Sequence, residues 1–247
     1  MLRRTFLHLP GVGETTELRW WRNGLRNWTD ALAATTRADQ QAELHASLDA
    51  WAKGEWDYFD RRIGNVHKWR AWQEFRKSAL CVDIETDGGY GPESITMIGA
   101  YDGQTVRTFV ADENLQEAAD YLERFPLLVT YNGVFFDLPL IRQRFTHRLR
   151  NHLHLDLRFP LHRLGYRGGL KPIEKAMGLM RSSETDGLTG WDAVRLWRES
   201  CAGSTEAMQL LRTYNAEDAR NLWPLAERVF AMMSLLLEKR FSENCRT

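Results

Sequence analysis

The sequence predicts an α/β fold: a mixed central sheet of about five strands flanked by helices, preceded by a helical N-terminal region. Three observations carry this. Near residue 78 the chain changes from helical periodicity to short apolar runs separated by turn residues. The first of those runs is followed by a hairpin signal, Asp102-Gly103, between two strand-like segments. Helical and strand-like segments then alternate, which implies a mixed sheet with helices packed on it.

The elements follow in order. Trp20, Trp21, Leu25, Trp28 and Leu32 recur at helical spacing. A second pattern, Leu44, Leu48, Trp51, Trp56 and Phe59, follows Asp39, and a short third helix is expected over His67 to Arg76. These form a helical region over 1–77, with the sheet-bearing domain over 78–247. Ala79 to Glu85 reads as a strand stopped by Asp87-Gly88-Gly89. Ser94 to Tyr101 and Gln104 to Val110 form the hairpin, Leu115 to Phe125 a helix, and Leu127 to Tyr131 a short buried strand. A helix begins at about Leu138, where Pro139 is tolerated in the first turn. A further strand is expected around His154 to Leu157, and a helix that Gly178 closes over Gly169 to Met177. Thr205 to about Phe241 is a long helical pattern that Pro224 is expected to kink or split.

With 43% hydrophobic residues the chain can bury a core, which excludes a disordered protein. The charges cancel, 33 basic against 33 acidic, which argues against binding nucleic acid through overall charge but leaves a local basic groove open. Cys81, Cys201 and Cys245 are odd in number and far apart, so neither a zinc ribbon nor a disulfide framework is expected. The apolar stretch Val229 to Leu237 is far shorter than the ~20 residues that span a bilayer, and no apolar signal core follows the N-terminus. The expectation is a cytoplasmic protein without a membrane partner.

Four acidic residues stand out by context. Asp83 and Glu85 are two apart on the first strand, so they point to one face, where two buried carboxylates repel unless a cation compensates. Taken alone, such a pair is more often a solvated strand face. Asp137 lies between a buried strand and a helix start, where an N-cap role is equally open. Tyr214 and Asp218 are four apart on the last helix and share a face, which alone is an ordinary amphipathic pattern. Together they offer hard oxygen ligands from several elements, as a site for divalent cations requires.

Val82-Asp83-Ile84-Glu85-Thr86, Asn132-Gly133-Val134-Phe135-Phe136-Asp137-Leu138-Pro139 and Tyr214-Asn215-Ala216-Glu217-Asp218 resemble, in that order, the three motifs of the DEDD exonucleases in their tyrosine form. The second is similar to the proofreading domain of family B DNA polymerases. Phe6-Leu7-His8-Leu9-Pro10-Gly11-Val12-Gly13, Trp69-Arg70-Ala71-Trp72 and Gly169-Leu170-Lys171-Pro172-Ile173-Glu174 extend the likeness to the YprB-like branch. The resemblance implies a ribonuclease H-like fold and a 3′–5′ exonuclease acting on DNA or RNA with a free 3′ end, most simply a single strand. It implies two divalent cations, Mg²⁺ or Mn²⁺, held by Asp83, Glu85, Asp137 and Asp218, with Tyr214 orienting the attacking water. It also places Thr86 near the terminal nucleotide and Asn132 near the scissile end. A structure-selective endonuclease on the same fold and a non-catalytic nucleic-acid-binding module stay open.

From Arg142 to Lys171 the chain carries Arg142, Arg144, Arg148, Arg150, Arg158, Arg163, Arg167 and Lys171 against the single acid Asp156. It is a candidate phosphate track, with Arg142 and Lys171 as candidate substrate contacts, or else a solvated face paired with acids elsewhere. The interspersed His147, His152, His154 and His162 lack the spacing of a zinc site. Pro10-Gly11-Val12-Gly13 before a helix resembles a helix-hairpin-helix fragment, whose backbone amides meet a phosphate. Glu14 and Glu17 oppose that grip, so a structural cap is the favoured role.

Overall fold

The computed structural model describes residues 1–146 and 148–243. The readings attached to His147 and Cys245 lie outside the described residues. Strands β1 (Ala79–Thr86), β2 (Ile95–Tyr101), β3 (Val106–Val110), β4 (Leu127–Thr130) and β5 (Leu153–Asp156) form one sheet in the order β3-β2-β1-β4-β5. β1, β2 and β3 pair antiparallel, while β1, β4 and β5 pair parallel, so the sheet is mixed as expected. In chain order the helices are α1 (Glu14–Arg22), α2 (Trp28–Ala34), α3 (Ala38–Lys53), α4 (Trp56–Arg62), α5 (Trp72–Phe75), α6 (Glu117–Leu122), α7 (Asp137–Arg144), α8 (Arg158–Arg163), α9 (Leu170–Ala176), α10 (Gly190–Cys201) and α11 (Thr205–Glu243).

The central strand explains the two layers. Alternate side chains of β1 enter different cores. Leu80, Val82 and Ile84 pack with Leu128 and with Leu138 and Ile141 of α7. Ala79 and Cys81 face the opposite way, against Leu222, Leu225 and Val229 of α11. That second core also takes in Phe6, Trp28, Phe59 and Trp72 of the N-terminal region, so one apolar cluster joins residues 1–77 to the sheet. Continuing this alternation, Asp83 and Glu85 fall on the α11 side of β1.

The hairpin forms where Asp102-Gly103 predicts it. The Asp102 carboxylate accepts from the amides of Gln104 and Thr105 at 2.9 and 2.8 Å. Gly103 has φ +92°, and a Cβ there would stand 2.6 Å from the Trp223 indole, so the turn needs glycine for conformation and for approach.

The helical patterns break where local signals outweigh periodicity. The run from Trp20 to Leu32 is two helices separated at Gly24, φ +86°, with the Asn27 side chain capping α2 through Asp30 N. Gly54, left-handed at φ 70°, ends α3 and divides the second pattern. The third helix is a 3₁₀ segment, Asn65–Ala71, followed by one turn of α5. Conversely, α11 runs through Pro224 without a split. Leu222, Leu225, Ala226 and Val229 bury that stretch fully, and Arg220, whose carbonyl lacks a proline donor, is exposed to water. The sequence reading passed over α10, whose start carries a reciprocal Thr189–Asp192 capping box. Among the described residues no helix is long and apolar enough to cross a membrane.

Candidate metal centre

β1 ends at the site. Asp83 and Glu85 share its face toward α11, and α11 carries Tyr214 and Asp218 one turn apart on the side that meets the sheet. A glycine sets the distance between them. Gly99 of β2 lies directly opposite Asp83, and a Cβ on it would stand 2.4 Å from the Asn215 amide oxygen. α11 therefore rests on bare backbone, and the buried Asn215 donates to the Asp83 carboxylate at 3.1 Å.

The result is a convergence of acids. One oxygen from each of Asp83, Glu85 and Asp218 lies within 4.8 Å of the others. Asp137 stands outside that trio but lines the same open cavity of about 470 Å³, as do Thr86, Asn132 and Tyr214. Asp137 is the first residue of α7 rather than its N-cap, a position Phe136 takes without a side-chain bond.

The electrostatics are those of clustered acids that Arg181, paired with Asp218, offsets only in part. Burial, then the neighbouring carboxylates with Asp218 foremost, pushes Asp83 and Glu85 well above the usual carboxylate range. Burial drives Asp137 up to about 7 and Asp218 up to about 6, the latter restrained by Arg181. Hard oxygen donors from a strand and a helix, kept ionised only at a cost, are the donor set a divalent cation stabilises. The residues fit such an ion.

Asp156 at the end of β5 organises the second wall. Its carboxylate accepts from Asn132 N at 2.8 Å, Val134 N at 3.0 Å and Arg158 N at 3.0 Å. Asn132 is left-handed at φ 66°, and its side-chain oxygen accepts from the Arg158 guanidinium at 2.9 Å. Thr86 and Asn132 thus both face the cavity.

Of the two basic candidates, Lys171 reaches the site and Arg142 does not. The Lys171 ammonium donates to the Tyr214 hydroxyl and to the Leu188 carbonyl, and it lies 4.1 Å from the Tyr214 ring centroid. Arg142 opens into a different cavity, beside Asp57, Asp60, Arg61 and Arg148, at the far end of α7. Three more arginines of the basic stretch are taken up by acids from other elements. Arg144 pairs with Glu93, Arg148 with Asp120 and Glu123, and Arg163 with Glu14. His154 bonds Thr130 Oγ1 at 2.8 Å and His152 the Phe125 carbonyl at 2.7 Å, so each imidazole has a partner other than a metal.

The sequence reading missed three residues here. Arg181 is buried, pairs with Asp218, and holds Glu174 through two bonds of 2.7 and 2.8 Å; Glu174 also accepts from Asn221 at 3.0 Å. Nothing in the aperiodic stretch before α10 marks Arg181. Asn215 lies inside the tyrosine motif and Gly99 inside an apolar strand, where an isolated glycine is the signal of close backbone approach.

Residues 80–230 match the family model described as the RNase_H superfamily. The chain belongs to the RNase H superfamily. The superfamily match spans the whole sheet, from the second residue of β1, and includes Asp83, Glu85, Asp137 and Asp218, while residues 1–79 precede it. Among solved structures, the chain is similar to the family B DNA polymerase from the hyperthermophilic archaeon Pyrobaculum calidifontis, at 19% identity and a TM-score of 0.49. That likeness covers 61% of this chain and 24% of the polymerase, so the chain spans about a quarter of that protein's length. It is also similar to a structure described as the apo form of a nuclease, at 20% identity and a TM-score of 0.46, covering 73% of this chain and 84% of the other. A comparison with curated proteins gives no match.

Proposed function

We propose that this member of the RNase H superfamily is a metal-dependent 3′–5′ exonuclease that hydrolyses phosphodiester bonds of DNA or RNA. The observation that carries the proposal is the meeting of Asp83, Glu85 and Asp218 oxygens within 4.8 Å, beside Asp137, on a cavity open to solvent. Carboxylates gathered in a cleft and raised by burial and by one another are characteristic of functional sites. The motif order stated above supports the exonuclease class, and the polarity is what the resemblance to the DEDD exonucleases implies.

In this mechanism Asp83, Glu85 and Asp218, with Asp137 beside them, would hold the two divalent cations. Mg²⁺ or Mn²⁺ bound there would supply the acidity for the attacking water and the positive charge for the scissile phosphate. Tyr214 orients that water. Burial, then the Asp218, Glu85 and Asp83 charges, pushes its phenol far above neutrality, so it keeps its proton and acts as a hydrogen-bond donor rather than a base. Lys171 donates to the phenolic oxygen, which occupies its acceptor side and leaves the phenolic hydrogen for water or phosphate. Thr86 stands near the place of the terminal nucleotide and Asn132 near the scissile end, where Arg158 bonds the Asn132 amide oxygen.

The test uses end-labelled single- and double-stranded DNA and RNA with Mg²⁺ or Mn²⁺, read as a product ladder. Shortening from the 3′ end is expected, abolished by chelation and by Asp83→Ala or Asp218→Ala in folded protein. Cleavage of closed circular single strands would move the assignment to an endonuclease. Binding without degradation under every divalent ion would reduce the chain to a binding module.

A further inference from the structure

Two large aromatic side chains at the mouth of the acidic cavity are left in water. Tyr90 is 90% exposed and Trp191 77% exposed, and both line the cavity that Asp83, Glu85 and Asp218 line. Large aromatics gain stability from burial, so such exposure at a site mouth calls for a ligand rather than a packing explanation.

Both sit on fixed backbone. The loop carrying Tyr90 is closed by Asp87, whose amide donates to Ser94 O at 3.0 Å and whose carboxylate accepts from Gly89 N at 2.8 Å. The Thr189–Asp192 capping box fixes the first turn of α10 and with it Trp191. Loop and helix touch: a Cβ on Gly88 would lie 3.5 Å from Val194 Cγ1. The two rings therefore stand on adjoining walls of the cavity.

We propose that Tyr90 and Trp191 form a stacking clamp for the unpaired bases next to the scissile end of a single-stranded substrate. The proposal rests on the nuclease reading of the same cavity, and it names the substrate class. A base offers its face to a protein ring only when it is not stacked inside a duplex, so the clamp selects frayed or single-stranded ends. It is tolerant of sequence because every base has such a face. Lys171 bonds Tyr214 and Arg158 bonds Asn132, so positive charge stands behind two residues that line the cavity, which favours the phosphates between those bases.

The experiment measures binding by fluorescence anisotropy in Ca²⁺, using a labelled oligothymidylate and the same strand with abasic residues at its 3′ end. Hydrolysis in Mg²⁺ is followed on the same preparations, so a failed nuclease reading shows as no hydrolysis and a failed clamp as no dependence on bases. Wild type is expected to bind the base-bearing strand about tenfold or more tightly than the abasic one. Tyr90→Ala/Trp191→Ala should erase that preference, whereas Tyr90→Phe/Trp191→Phe should keep most of it. Both sites are exposed, so the variants fold, which thermal melting verifies. Equal wild-type affinity for the two strands would overturn the clamp, as would full preference in the double-alanine protein. Self-association lost in Trp191→Ala with base preference intact would assign the aromatics to a protein interface and overturn it as well.

Discussion

Tyr214 shows how one side chain depends on its surroundings. It keeps its proton chiefly because it is buried, with the neighbouring carboxylates second, and it keeps its direction because Lys171 donates to it. Tyr214→Phe is expected to slow single-turnover cleavage by about 10- to 1000-fold with nucleic-acid affinity nearly unchanged; wild-type cleavage rates would remove the water-orienting role. Arg181 answers a different need. It is buried against Glu174 and Asp218, so Arg181→Ala strands two carboxylates and should cost about 3–5 kcal/mol in urea unfolding. A loss under ~1 kcal/mol would mean that water replaces the guanidinium. His8 bears on pH. Buried against Trp28 with neither ring nitrogen bonded among the described residues, its imidazole is pushed down to about 3, burial being the main cause and Arg62 the second. The folded protein then resists the proton that the unfolded chain takes up near 6.5. The stability contribution is whole above that value and falls steadily as pH drops toward 3. His8→Phe should flatten this part of the profile of Tm against pH.

At the scale of elements, the contact between α11 and β2 decides whether the acids meet. Gly99 lets Asn215 come against the sheet, which brings Asp218 to Asp83. Gly99→Val should push α11 outward, destabilise by about 1–3 kcal/mol from overpacking, and weaken Mn²⁺ binding in calorimetry more than its loss of stability explains. Unchanged metal affinity would show that the carboxylates do not depend on this approach. The strands were legible in the sequence because β1 alternates between two cores and the hairpin carries its own turn chemistry in Asp102-Gly103. The helices were less so. Periodicity spans a break without registering it, as at Gly24 and Gly54, and α10 is announced by a capping box more than by an apolar stripe.

For the whole molecule, residues 1–77 and the sheet share one core, and Glu14 ties that region to both later layers. It pairs with Arg163 of α8 and Arg240 of α11, contacts that hold its carboxyl down at about 2. This contribution is complete above the usual carboxylate value near 4.5 and is lost as pH falls through that value toward 2. Glu14→Gln should therefore lower Tm at pH 7 and leave it nearly unchanged at pH 2. Cation binding should act on the entire fold, since an ion held by β1 and α11 favours the folded state by mass action. Mn²⁺ is expected to raise Tm in wild type and not in Asp83→Ala; equal shifts would place the ion elsewhere.

The sequence by itself determined the sheet-bearing class, the order of the strands, and which acids to watch, because alternation, turn chemistry and motif order are local along the chain. Folding decided what local order does not encode. It brought Lys171 onto Tyr214, carried Arg142 to another cavity, and placed Arg181 between Glu174 and Asp218. A basic residue takes its partner from whatever element packs beside it, and that neighbour is chosen by burial of the core and not by spacing in the chain.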